Sequence, residues 1–356
     1  MKVHWRIPGL SAWLGIWMAT GALFLLSGAV QPQSVSSSAL LGMFPFAAIL
    51  AIAAVGQTLV VQQGGIDLSV PGGVSIVVVL VTHYPNGDAS KLPAAIAMAY
   101  GVAVAAGMVN GLAVSRIGIT PIVATLGMNA LLYGGVMSIS GGTPRFTTDQ
   151  LHAFASSTVA GIPTTVVLAA GTTLFVGFLI KRTVAGRRFE AVGANAVAAR
   201  AAGLEAGRYQ IAAYVGAALL YCTAAVLLAG VILQPSAFQG DSYLLPSVAA
   251  VVLGGTSLFG GVGSVAASAG GALFLTQLEQ LVFTTGVNAG IQYLIEGGAI
   301  AAGVAIHSVR GDLRRWIELV RDRDKRLARL QPTALPEPAG LAGRAERRQA
   351  QRKSSV

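Results

Sequence analysis

Charge is what this chain has least of. Asp, Glu, Lys and Arg make up 11% of its 356 residues, where a soluble domain carries about 25%. Together with 54% hydrophobic residues, this excludes an ordinary soluble domain and points to an all-α polytopic membrane protein. Cysteine is almost missing: the single Cys222 lies in an apolar segment, so there is no intrachain disulfide framework and the thiol reads as a small core residue. The residues of membrane chemistry are scarce as well. His4, His83, His152 and His307 all fall at segment ends or in loops, which leaves neither a metal cluster nor a Ser-His dyad at depth. Lys2, Lys91, Lys181, Lys325 and Lys353 do the same, which removes a Schiff-base lysine and a buried Ser-Lys dyad. There is no Gly-Lys dipeptide and hence no P-loop. Only Asp67, Glu279 and Glu296 are ionisable and mid-span, too few for the usual proton relay of an ion-coupled carrier.

What is abundant is apolar sequence in spans. Ten are expected, at about 11–30, 40–61, 71–83, 93–114, 121–140, 164–180, 209–233, 244–259, 265–285 and 290–308. The first, behind Lys2 and Arg6, is read as a retained helix rather than a cleaved signal. The 45 glycines suit close helix contact in lipid. Of the 24 Lys and Arg, 22 fall in alternate connections and termini expected inside, and only Lys91 and Arg145 fall outside. By the positive-inside rule both termini are cytoplasmic. The expected organisation is a cytoplasmic N-terminus over 1–10, a transmembrane domain over 11–308, an amphipathic surface helix over 309–330 and a disordered basic tail over 331–356. The tail holds its charge beside the bilayer, so anionic lipid is the expected partner and nucleic acid is not.

Two stretches stand out against this background. The segment 181–208 carries Lys181, Arg182, Arg187, Arg188, Arg200 and Arg208 around an Ala-rich helical run, 194–202, ended by Gly203. It reads as a solvated cytoplasmic loop or as a docking helix for a cytoplasmic partner. Charge and composition alone favour the loop. The other stretch, Gly64 to Gly73, sets Asp67 among glycines and Pro71. Non-helical backbone at membrane depth survives only against protein or water, so Asp67 is a candidate functional residue; the plainer reading is a helix cap accepting amide hydrogen bonds. Gln57, Asn110, Thr125 and Asn129 are the other polar residues within spans that are candidates to line a path. Each has the plainer reading of an interhelical hydrogen bond.

The runs GQTLVVQQGGIDLSVPGG (56–73), NGLAVSRIGITPIVATLGM (110–128), VGANAVAARAAGLEAGRYQIAAYV (192–215) and AAVVLGGTSLFGGVGS (249–264), in that order and spacing, resemble the permease subunit of bacterial ABC sugar importers, the ribose-type branch of the branched-chain amino acid/ribose permease family. The resemblance covers about residues 15–308. It implies about ten transmembrane helices in the bacterial inner membrane and pairing with a second permease subunit, identical or not. It also implies two cytoplasmic ABC ATPase subunits and a periplasmic sugar-binding protein. ATP and Mg would belong to the partner ATPase, and this chain would hold no cofactor and perform no chemical step. The stretch 193–204 matches the family's coupling helix, which carries docking positions onto Gly193, Asn195, Ala199, Arg200, Gly203 and Leu204. The family's motifs also map onto Ile66 to Val70 and Gly254 to Ser257. Pro71-Gly72 stands here where Gly-Ser or Gly-Ala is more usual, and Val262 where a basic residue is common. The rival from the residues alone is an ion-coupled secondary transporter of a small polar solute, centred on Asp67. An intramembrane enzyme lacks its nucleophile and base. A scaffold would depend on residues 311–356.

Overall fold

The computed structural model describes residues 9–288 and single positions or short runs between 290 and 301. The N-terminal eight residues, most of the tenth expected span, the amphipathic 309–330 helix and the basic tail lie outside the described residues.

The chain is built around one helix. α2 (Ser37–Gln62) is apolar on all sides and continuously buried from Ala47 to Gln62, as a helix enclosed by other helices must be. Against it lie α7 (Thr164–Arg182), α10 (Ala206–Val231), α11 (Leu244–Leu253) and α12 (Val265–Thr284). α1 (Gly9–Val30) covers α12. On the far side of α10 stand α4 (Leu92–Leu112) and α3 (Val70–His83), and α5 (Pro121–Ser140) packs on α3. Small residues set the spacing. A Cβ on Gly56 would come within 2.8 Å of the Tyr221 ring, and one on Gly107 within 2.8 Å of the Tyr214 carbonyl oxygen. The backbones of α2 and α4 therefore press against α10, which is how helices associate without a hydrophobic drive between them. Thr58 donates to Ser268 at 2.7 Å between α2 and α12, and Tyr100 pairs with Thr223 at 2.8 Å between α4 and α10.

Five helices among the described residues are long and apolar enough to cross a membrane: Ser37–Gln62, Ala89–Ile117, Pro121–Ser140, Thr164–Arg182 and Ala206–Val231. The protein is an integral membrane protein. Two expected spans turn out to be short. α3, with 14 residues, is about 21 Å long at 1.5 Å per residue, against a hydrocarbon core of about 30 Å. α11 stops at Leu253 rather than running to 259, because the Gly254-Gly255 turn, with Gly255 at φ +79°, ends it. Each short helix adjoins an irregular glycine-rich segment.

The connection 141–163 between the fifth and sixth expected spans holds a short helix α6 (Asp149–Ala155) and an antiparallel hairpin of β1 (Thr158–Val159) and β2 (Ile162–Pro163). α6 lies against the C-terminal part of α10, and a Cβ on Gly230 would come within 2.5 Å of Ala155. Arg145 in this connection donates to the Asn86 side chain at 2.9 Å, and Lys91 pairs with Asp88 at 3.4 Å. At the opposite end Arg116 approaches Gly207, next to the basic 181–208 segment. Cys222 is buried in the core.

Candidate functional site

α2 ends at Gln62, Gly64 turns the chain at φ +78°, and residues 65–69 run without regular structure before α3 begins. Backbone groups in such a break need partners, and nearby side chains supply several of them. The Asp67 carboxylate accepts from the Ser69 amide at 2.9 Å and from the Ser69 hydroxyl at 2.5 Å. Asn110 on α4 donates to the same Ser69 oxygen at 3.0 Å. Thr125 on α5 accepts from the Leu68 amide at 3.0 Å while donating to the Pro121 carbonyl at 2.8 Å. One turn later Asn129 accepts from the Gly72 amide at 2.7 Å. Three of the five candidate residues thus converge on the break, and Asn129 meets the first turn of α3 that follows it.

The fifth, Gln57, sits a turn and a half earlier on α2 and accepts from the Tyr221 hydroxyl at 2.6 Å. Gln57, Asp67, Asn110 and Thr125 are buried and Asn129 is partly so. Asp67 closes a local turn ahead of α3; Ser69 holds the cap position of that helix but makes no side-chain cap bond of its own. Asp67, Ser69, Asn110, Gly107, Leu132 and Tyr221 border a cavity of about 20 Å³, room for about one water molecule.

Sequence reasoning missed two of these residues. Ser69 joins Asp67 to Asn110, and only the fold brings that hydroxyl to α4. Tyr221 had a legible signal: with Tyr214 it stands at i, i+7 on one face of α10. Both tyrosines are buried. Tyr221→Phe keeps the ring but leaves Gln57, whose Nε2 has no protein partner among the described residues, with neither amide atom bonded. The expected cost is about 1–3 kcal/mol. It should appear as a lowered thermal midpoint of the detergent-solubilised protein; an unchanged midpoint would show that the Gln57–Tyr221 bond contributes nothing.

The basic segment is two helices rather than one. Thr183 caps α8 (Val184–Ala194), accepting from Gly186 N–H at 3.0 Å, and Lys181 pairs with Glu190 across the turn at 2.5 Å. Asn195 then breaks the chain and caps α9 (Ala196–Ala201), accepting from Val197 N–H at 3.0 Å and Ala198 N–H at 2.9 Å. α9 ends at Gly203, whose φ of +81° is costly for any residue with a Cβ, and the Leu204 amide closes it onto the Ala199 carbonyl at 3.0 Å. Ala199 is the inward residue, buried with Val192 and Ala206, and Leu204 packs on that cluster. Arg200 and Gly203 are exposed, and Val197 is 69% exposed.

The neck of α9 is locked to the break. A Cβ on Gly193 would fall 2.1 Å from the Gln62 carbonyl oxygen, so α8 ends hard against the last turn of α2. The same carbonyl accepts from Gly261 N–H at 2.9 Å, and the Gln63 side chain donates to the Phe189 carbonyl at 2.9 Å. A Cβ on Gly260 would meet the Gly193 carbonyl oxygen at 2.7 Å, and one on Gly261 the Ala194 Cα at 2.6 Å. Three segments distant in sequence therefore meet three to five residues upstream of Asp67. Among the described residues no group of His, Cys, Asp and Glu is arranged to hold a metal.

A family model described as the branched-chain amino acid transport system permease component matches residues 39–304. The chain is 33% identical over 290 residues, 80% of its length and 85% of the relative's, to a probable ABC transporter permease protein of Sinorhizobium fredii. It is 30% identical over 303 residues to the ribose import permease protein of Escherichia coli, covering 83% of this chain and 94% of that one. It is 31% identical over 284 residues to the galactofuranose transporter permease protein of Escherichia coli, covering 78% and 82%. No solved structure matches.

Proposed function

The chain belongs to the family of branched-chain amino acid transport system permease components, and from that premise we propose that it is the membrane subunit of an ATP-driven importer for a monosaccharide or related polyol. The chain crosses the bacterial inner membrane ten times with both termini in the cytoplasm. It pairs with a second permease, accepts sugar from a periplasmic binding protein, and docks two cytoplasmic ABC ATPase subunits that hold ATP and Mg. The sugar class is supported by the similarity to the ribose import permease protein and the galactofuranose transporter permease protein.

The observation that carries the reading is the joint between α9 and the α2 end. A capped helix with an exposed outer face is fixed through Gly193 to the Gln62 carbonyl. ATP-driven closure of the two ATPases moves α9, and the joint passes that displacement to residues 62–69. The break lacks a continuous helical ladder and is held by side-chain bonds from α4 and α5, so it is the element that rearranges. The sugar passes beside it, along Gln57, Asp67, Asn110, Thr125 and Asn129. Alternating access follows from two arrangements of this element. Buried polar atoms without a partner among the described residues, the Gln62 amide and the Tyr214 and Thr256 hydroxyls, would each gain about 1–3 kcal/mol from a hydrogen bond in a rearranged state.

Isolation of the tagged chain from its native membranes in mild detergent tests the reading. An ATP-hydrolysing subunit is expected at near-equal amount. Arg200→Glu together with Gly203→Trp should remove it. Asn195→Ala, which deletes the α9 cap at a cost of about 1 kcal/mol, should weaken its recovery about fivefold. Recovery of the chain alone would contradict the docking role of α9.

A further inference from the structure

Among the described large hydrophobic side chains, Phe259 is the most exposed, at 90%, with Leu258 at 38% and Val262 at 51% beside it. An exposed aromatic on a loose loop would mean little. This one stands on an ordered turn. The Ser257 amide donates to the Val262 carbonyl at 2.9 Å, the Gly260 amide to the Ser257 carbonyl at 3.1 Å, and the Phe259 amide to the Ser257 hydroxyl at 3.3 Å. The base of the turn is held by the Gly261 amide on Gln62 and by the close approach of Gly260 and Gly261 to Gly193 and Ala194. The turn is therefore built so that the Phe259 ring projects into the surroundings instead of folding back.

Where it projects is set by what it abuts. Gly193 and Ala194 are the neck of α9, so Phe259 emerges at the same end of the molecule as exposed Val197 and Arg200. Arg182, Arg187 and Arg188 are exposed on the adjoining α7–α8 turn. A face with this much positive charge does not sit in hydrocarbon. An exposed aromatic on the same face as exposed arginines is the composition of a protein-binding hot spot.

We infer that the Leu258–Phe259 tip is a second contact for the same ATP-hydrolysing subunit that α9 docks, with the ring entering an apolar socket on a surface that offers acidic groups to the neighbouring arginines. The inference rests on the docking role of α9 and extends it. The subunit grips both α9 and the glycine turn, and those two elements close on Gln62 from either side. Its motion is then delivered to the end of α2 through two levers that hold the same carbonyl.

The test places a photoreactive benzoylphenylalanine at position 259, and separately at position 197, in the full-length chain within the reconstituted transporter. Illumination and mass spectrometry identify the crosslinked molecule. Crosslinking of both positions to the ATP-hydrolysing subunit is expected. Phe259→Asp should lower recovery of that subunit about tenfold, as loss of an anchor does, while Phe259→Leu should largely keep it. Crosslinking of position 197 to the ATP-hydrolysing subunit, but of 259 only to lipid or to a second permease, overturns the inference and leaves the docking role of α9 intact. Crosslinking of neither position to that subunit overturns both.

Discussion

Gly193→Val uncouples the transporter without undocking it. The first γ carbon adds to a Cβ that already falls 2.1 Å from the Gln62 carbonyl oxygen, a separation no pair of non-bonded atoms holds. The end of α8 has to retreat from α2. Retreat stretches the Gln63–Phe189 bond, 2.9 Å at present, and opens the pocket in which Gly260 packs on the Gly193 carbonyl. Overpacking of this kind costs about 1–3 kcal/mol, enough to change a conformational equilibrium about fivefold to 150-fold. The outer face of α9 keeps its cap on Asn195 and its anchor at Ala199. ATP-driven uptake is therefore expected to fall at least about fivefold, while the ATP-hydrolysing subunit still copurifies and still turns over ATP. Equal loss of uptake and of copurification would place Gly193 in the docking surface itself. Unchanged uptake would remove the joint from the mechanism.

The second large effect separates the importer from its rival. Asp67→Ala deletes the acceptor of two hydrogen bonds and strands the Ser69 amide and hydroxyl in a buried site. Bonds to a charged group are worth about 1.5–3 kcal/mol each. The loss should destabilise the break and lower uptake by at least about tenfold. Asp67→Asn keeps an oxygen able to accept both bonds and exchanges the other carboxylate oxygen for a neutral NH2. If the carboxylate is a brace, Asp67→Asn should keep ATP-driven uptake within about fivefold, since a neutral acceptor still satisfies the same donors at a net cost near 1 kcal/mol. An ion-coupled carrier centred on Asp67 predicts the opposite, near-complete loss with the amide. Uptake measured for the two variants side by side decides between them.

Much of the helical plan was legible because the chain punctuates it. Gln62-Gln63 and Gly64 close the second span, Pro121 opens the fifth at its first helical position, and α3 occupies Val70–His83 where 71–83 was expected. The eighth span was overread because Leu258 and Phe259 look like span residues to a hydropathy count. Only the backbone turn at Gly254-Gly255 shows that they belong to a surface tip. The basic segment was recognised by charge, but its division at Asn195 was not, since an asparagine amid alanines does not announce φ −162° and a cap. At the break the residue types were readable and their partners were not. Asn110 meets Ser69 across 41 residues, and Gly261 meets Gln62 across about 200 residues. Side-chain partners so far apart in sequence leave no periodic trace, and the small residues that permit the close approach look the same as glycines placed for ordinary helix packing.

The central claim is that this chain opens a path on command from ATP bound elsewhere. The most direct test is uptake of radiolabelled monosaccharides into proteoliposomes containing the chain, its ATP-hydrolysing subunit and its binding protein. The account predicts accumulation that requires Mg-ATP on the side of the ATP-hydrolysing subunit, requires the binding protein on the other, and is indifferent to proton or sodium gradients. Accumulation that follows an ion gradient with ATP withheld would contradict it.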